Sequence, residues 1–235
     1  MAINAKNSRV LINEDHVSGS IKGWSVAHQR EYGDATSVLD DGWRGVPGLL
    51  SGSMTLNGLF DSAVGGLYEE VAALVGVDNS ALVTVLPDGF TIGKPALMTV
   101  SDIEGFEIPA TVNELVSLTV NATADDGVDM GTSLHALTAE TANGNGTSVD
   151  NTASSANGGV GALHLSAYSG FTNIVVKVQH STDNSVWADL ITFTTNTAVG
   201  SERKTVTGTV NRYVRALWTV TGAGSATFVV AFARR

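Results

Sequence analysis

The segment Leu49–Gly76, LLSGSMTLNGLFDSAVGGLYEEVAALVG, sets how the rest of the chain reads. Its first part, Ser51–Leu56, alternates small or polar residues with apolar ones, the period of a strand with one buried face. The period then changes. Phe60, Val64, Leu67, Val71 and Leu74 recur at steps of four and three, which predicts an amphipathic helix over about 61–75. Asp61 stands where an N-cap carboxylate would accept a free N–H and meet the positive helix end. Gly76 stands past the last apolar turn, where a glycine takes φ > 0 without a Cβ clash. Gly65 and Gly66 weaken such a helix by about 1 kcal/mol each, so it is expected to be held by packing on a sheet.

Upstream, Arg9–Asp15 and Ser18–Gln29 read as two strands joined at His16–Gly19, and a slip in alternation predicts a bulge near Gly23. Arg30–Gly48, REYGDATSVLDDGWRGVPG, reads as a long irregular connection over 30–48, and connections of that length are commonly functional. Trp43 beside Arg44 has the composition of an interface anchor, the alternative being a tryptophan folded back on its own core. Downstream, Ala81–Leu86 is a strand and Pro87–Phe90 a turn with glycine in the left-handed position. Pro95–Ile103 and Gly105–Ala122 read as two more strands, with Asp102, Glu104, Glu107 and Glu114 on or near their polar faces. Antiparallel strands with one helix laid across them make a mostly β domain, 1–133. The Ala/Asn/Gly/Ser/Thr-rich run Ala136–Gly161 marks the junction. Beyond it, strand-like segments at 8–12-residue spacing predict a second antiparallel β-sandwich, jelly-roll or immunoglobulin-like, over 134–235.

The apolar fraction of 43% is enough for a real core, and the absence of cysteine excludes disulfides, thiolate metal sites and cysteine catalysis. No apolar run is long enough to cross a bilayer and no Sec-type leader is visible, so a soluble chain without membrane insertion is expected. Charge is uneven: 1–135 carries net −12 and 136–235 net +2. The acidic half is either a solubilising surface or one that must not hold polyanions. Either way, sequence-reading nucleic-acid binding is disfavoured, because it needs Lys and Arg at the phosphates.

Chemistry is scarce. His16, His28, His135, His164 and His180 form no metal-ligand spacing. Nothing selects a nucleophile, an acid–base pair or a phosphate loop, so neither enzyme activity nor a cofactor is expected. Asp125–Asp129, DDGVD, lacks the ladder of a calcium loop and reads as an acidic turn. Trp187 within HSTDNSVWADL is either a sugar-stacking residue or the buried start of a strand. Arg212 and Arg215 fall on opposite strand faces, which suits ion pairs rather than a phosphate patch.

The run GWSVAHQREYGDATSVLDDGWRGVPGLLSGSMTLNGLFD, Gly23–Asp61, resembles the tail tube proteins of long-tailed bacteriophages. Val176–Val220, with VKVQHSTDNSVWADLITF and GTVNRYVRALWTV, is similar to a domain appended to some of them. The resemblance implies a small β-sandwich or barrel with one flanking helix, assembled into stacked rings, usually hexameric. A tape-measure protein fills the lumen and later leaves, and tail-end proteins close the tube. Genomic DNA passes through without specific binding. The loop reaching the next ring would be 30–48, with Tyr32, Asp34, Leu39, Asp40, Asp41, Trp43 and Arg44 as stacking residues. Asp102, Glu107 and Glu114 would face the lumen, and 134–235 would be an extra outward-facing domain. The location implied is the virion tail, assembled in the host cytoplasm. The competing reading is a capsid decoration or host-surface carbohydrate-binding protein that uses Trp187.

Overall fold

The computed structural model describes residues 4–235, so the first three residues of the expected 1–133 unit lie outside it. Strand accounts for 57% of the chain and helix for 5%, which places the protein in the mostly β class. The elements are β1 (Arg9–Ile12), β2 (Asp15–His16), β3 (Ile21–Asp34), β4 (Gly45–Leu59), α1 (Leu67–Ala72), β5 (Ala81–Leu86), β6 (Pro95–Glu107), β7 (Ser117–Ala124) and β8 (Asp129–Glu140). They continue with β9 (Gly144–Asn145), β10 (Val149–Asp150), β11 (Gly159–Ser169), β12 (Asn173–Ser181), β13 (Ala188–Thr192), β14 (Gly200–Val206), β15 (Tyr213–Thr221) and β16 (Ser225–Arg234).

The helix is shorter than its periodicity predicts. Gly65 sits at φ +75° and Gly66 is the N-cap, so α1 holds six residues rather than the expected 61–75. Two successive glycines lower the cost of leaving the helical region, and the first turn of the pattern is spent on a loop. Asp61 therefore does not cap α1. Its carboxylate accepts from Ala63 N and Ser20 Oγ, while its carbonyl accepts from Tyr68 N. Leu67 and Val71 are buried as expected, whereas Val64 is exposed.

The pivot of the topology is β6. Its first half pairs with β5 on one side and β8 on the other. From Ser101 onward β6 pairs with β7, and a bulge interrupts that pairing between Ile103 and Gly105. The expected strand end near Glu104 is thus a bulge within one strand. The expected strand Gly105–Ala122 is interrupted instead by a loop at 108–116, entered at Ile108-Pro109, where proline offers no ladder N–H. The expected bulge near Gly23 is present, in the register shift between Ile21 and Gly23.

Three apolar layers follow. One, with Val10, Met54, Leu56, Val83, Ile103, Leu118 and Val120, lies inside the first sandwich, and α1 inserts Leu67 and Val71 into it. Another, with Leu134, Leu165, Val176, Phe193, Trp218 and Phe228, lies between β8, β11 and β16 and the second sheet, β10–β15–β12–β13. The third joins the two. Leu11, Leu82, Leu86 and Met98 from the back of β1, β5 and β6 meet Ala162, Val229, Ala231 and Ala233 from the back of β11 and β16. This explains why ALVTVL and TFVVAFA are nearly all apolar rather than alternating, since both faces of these strands are covered.

Polar groups lock the same seam. Asn13, at φ +50°, accepts from Leu82 N through its amide oxygen and from buried His164 Nδ1 through its carbonyl. Arg203 on β14 reaches Asp129 at 2.7 Å, and Arg235 reaches it at 3.0 Å, so DDGVD is an acidic turn held by distant arginines. The expected junction at 133/134 falls inside β8, whose first residues pair with β6 and whose remainder pairs with β16.

Candidate assembly surface

The strands β3–β4–β7 and the second half of β6 form a four-stranded antiparallel sheet whose two faces differ in chemistry. Register fixes the faces, because directly paired residues point the same way. Trp24, Val26, Leu56, Met54, Val120, Ala122 and Ile103 face the core. The opposite face carries Ser25, Ala27 and Gln29 of β3, Ser51, Ser53, Thr55 and Asn57 of β4, and Thr119, Asn121 and Thr123 of β7. Asp102, Glu104 and Glu107 of β6 complete it. Cross-strand pairs tie this layer together: Thr55 Oγ1 donates to Asn121 Oδ1 at 3.2 Å, Thr119 Oγ1 to Asn57 Oδ1 at 3.1 Å, and Thr123 Oγ1 to Glu104. No Lys or Arg occupies these paired positions. The face is neutral and hydroxyl-rich, with charge of one sign along a single strand.

Both lateral edges of this sheet are unpaired among the described residues. β3 pairs only with β4, and β6 beyond Ile103 pairs only with β7. A free edge of 14 residues, about 45 Å at strand rise, is a template for another chain.

At one end β3 and β4 outrun the sheet. β7 pairing stops at Gly52, yet Tyr32↔Pro47, Gly33↔Val46 and Asp34↔Gly45 continue as a two-stranded ribbon. The expected irregular loop 30–48 is therefore strand at both flanks, and only 35–44 is irregular. Local hydrogen bonds shape that tip. Asp34 Oδ1 accepts from Thr36 N at 2.9 Å, Asp40 Oδ2 from Ser37 N at 2.7 Å, and Arg44 N donates to Thr36 Oγ1. The bond from the Thr36 hydroxyl, then that from its N–H, holds the Asp34 carboxyl below its ordinary range. The Ser37 N–H, then its hydroxyl, does the same for Asp40. Trp43, 66% exposed, lies over Gly45, where a Cβ would fall 2.2 Å from its ring, and stands 6.2 Å from the Tyr32 ring. Leu39 is 90% exposed and Val38 fully so. The ribbon thus carries an apolar tip that no part of its own chain covers among the described residues.

Asp102 and Glu107 lie on the polar face, with Asp102 also accepting from Asn79 N. Glu114 does not share a strand with them. It lies in the 108–116 loop, beside exposed Val112 and Leu115, at the end of the sheet opposite the ribbon. Trp187 is half-buried just before β13, and the Arg215 guanidinium covers its ring at 4.1 Å. Arg215 also donates to Gln179 Oε1 at 2.9 Å, and Arg212 pairs with Asp150 at 2.6 Å. No cluster of metal-ligating side chains is found among the described residues. Sequence reading missed the Ser/Thr/Asn layer as a unit. Its signal was the polar half of the alternation in SMTLN and LTVNAT.

No protein-family model matches the chain, and no curated protein matches it. Solved structures do align with it. A chain from the virion of a native gene transfer agent particle aligns at 18% identity and TM-score 0.42, over 55% of this chain and 98% of that one. The SPP1 tail tube aligns at 8% identity and TM-score 0.44, over 56% and 80%. The SPP1 Dit protein, described as a hub of the adsorption apparatus in phages infecting Gram-positive hosts, aligns at 12% identity and TM-score 0.39, over 94% and 98%. Each is a likeness in the course of the backbone, and none assigns a role to this chain.

Proposed function

We propose that this chain is a structural virion protein, the subunit of a phage tail tube, acting by assembly rather than catalysis. One observation carries the reading: a four-stranded sheet with a small, polar outer face, whose paired positions hold no Lys or Arg, and two edges free among the described residues. Joining such edges between copies extends the sheet, and closing the ring removes the exposed edges altogether. Six copies would supply about 24 strands. At about 4.8 Å spacing and about 40° tilt they close into a barrel about 48 Å across, which leaves room for duplex DNA inside the side chains. A wall of Ser, Thr and Asn with Asp102, Glu104 and Glu107 offers phosphates no cation to hold, so DNA would slide without binding. Glu114 would stand at the rim.

The ribbon and the 108–116 loop lie at opposite ends of the sheet, and that polarity suits head-to-tail stacking. Tyr32, Leu39 and Trp43 would be the apolar stacking contacts, with Asp34, Asp40, Asp41 and Arg44 around them. The second sandwich would face outward, joined through β8 to the first half of β6, whose second half lies in the wall. A tape-measure protein in the lumen and tail-end proteins at the terminus are the partners this role requires. The test is negative-stain electron microscopy of the purified chain across a concentration series. Rings and hollow tubes are expected, and Trp43→Ala should keep the wild-type circular dichroism while tubes fail to lengthen. Tubes of normal length in that variant refute the stacking role. A chain that forms no ring at any concentration refutes the tube reading.

A further inference from the structure

The first 135 residues hold six Lys and Arg, and three of them line one hollow. Lys6, Arg9 and Lys22 surround a 260 Å3 recess floored by Val10, Ile21 and Trp24. None of the three forms a salt bridge among the described residues, although this half of the chain is strongly acidic. Arg9 is held in place by its own loop: Nη1 donates to the carbonyls of Lys6, Asn7 and Ser8, while Nη2 and Nε have no partner among the described residues. The hydroxyls in the recess are already used, since Ser8 donates to Pro87 O and Ser18 exchanges bonds with the Val10 backbone. Trp24, which floors the recess, also packs against the first core. Its Nε1 is buried with no hydrogen-bond partner among the described residues, and a buried donor is rarely left so. Three cations without carboxylate partners ask for an anionic, oxygen-bearing occupant.

The complementary charge lies on the ribbon. Its tip carries Asp34, Asp40 and Asp41, and Asp41 accepts no hydrogen bond among the described residues. Recess and tip belong to the two ends of one strand, β3, with Ile21–Trp24 at one end and Tyr32–Asp34 at the other. About ten residues of strand separate them, roughly 34 Å, so a copy cannot fill its own recess. A second copy displaced along β3 can. We infer that the recess of Lys6, Arg9, Lys22 and Trp24 is the receptor for the acidic ribbon tip, Asp40–Arg44, of a second copy of this chain. The inference rests on the head-to-tail reading above and names its contact. Asp41 meets the cations, and Leu39 and Trp43 lie along the aliphatic stems of Lys6 and Lys22.

The absence of cysteine makes a clean test possible. Gly42 on the tip and Gly23 in the recess each have open space where a Cβ would stand, as does Gly200 on the distant β14. Full-length Gly42→Cys and Gly23→Cys chains are mixed and oxidised, with Gly42→Cys plus Gly200→Cys as control. Disulfide-linked heterodimer is read on non-reducing gels, and the same samples are imaged. The 42–23 pair should cross-link at least tenfold more than the 42–200 pair. Lys22→Glu in the Gly23→Cys chain should cut the yield about tenfold, and Asp41→Lys in its partner should restore it. Tubes without the 42–23 link overturn this receptor and leave the tube reading standing. The link without tubes upholds the receptor and removes the tube. Neither link nor tubes overturns both.

Discussion

His164 provides a quantitative check on how the two sandwiches are joined. It sits on β11, fully buried, where the back of the second sandwich meets β5. Its Nδ1–H donates to the Asn13 carbonyl, and the Thr84 hydroxyl donates to Nε2 at 2.7 Å. That arrangement satisfies a neutral ring. Burial pushes its pKa down to about 4, against a partial upward pull from the Asn13 carbonyl. The unfolded chain, with its imidazole near pKa 6.5, therefore binds more protons than the native state between these values. Its contribution is fully present above pH 6.5, falls as pH drops through the window, and is flat below about 4. At 1.36 kcal/mol per pH unit, about 2 kcal/mol is lost between pH 7.5 and 5. Carboxylates and His135 titrate nearby, so the measured quantity is a difference. Urea denaturation of monomeric wild type and His164→Gln is compared at pH 7.5, 6 and 5. The wild-type advantage should shrink by about 2 kcal/mol toward pH 5. A pH-independent difference would refute a neutral, desolvated histidine in the seam.

Two further predictions concern the same framework. Glu70 on α1 is pushed up to about 8, first by burial, then by the hydrogen bond and charge of Asp15 and the charges of Glu69 and Glu14. Its folded pKa lies above the unfolded value, so stability is complete below pH 4.5 and is lost as pH rises through 8. Glu70→Gln should thus stabilise the chain at pH 9 by about 1 kcal/mol after discounting for its partial exposure, with no gain at pH 5 by thermal melts. Arg203→Ala removes one of two arginines from Asp129, which is only 7% exposed, and should cost about 2–3 kcal/mol because a buried carboxylate loses half its compensation. The melting temperature should fall by roughly 5–10 °C; an unchanged value would mean that Arg235 alone suffices.

Much of the strand inventory was legible because burial writes itself into period. Ala81–Leu86 and the segments from β11 to β16 came from apolar runs and turn residues, and the alternation in Ser51–Leu56 marked a strand with one wet face. The helix was overdrawn because periodicity counts apolar positions and ignores that Gly65 and Gly66 can leave the helix at little cost. The loop 30–48 was overdrawn for the opposite reason. Cross-strand hydrogen bonds extend β3 and β4 through glycine-rich sequence that has no intrinsic strand signal.

Composition and alternation alone established a mostly β chain, the absence of thiol chemistry, an acidic first half, and a polar strand face. These depend on neighbours along the chain, which sequence records directly. Tertiary structure alone set which strands pair, that β8 belongs to both sandwiches, and that Asp126 meets Arg235 and His164 meets Asn13. It also brought Lys6, Arg9 and Lys22 around Trp24 and placed the acidic tip at the far end of the same strand. Partners separated by many residues leave no period behind. They are selected by which apolar faces can be covered together, a property of the whole packed chain.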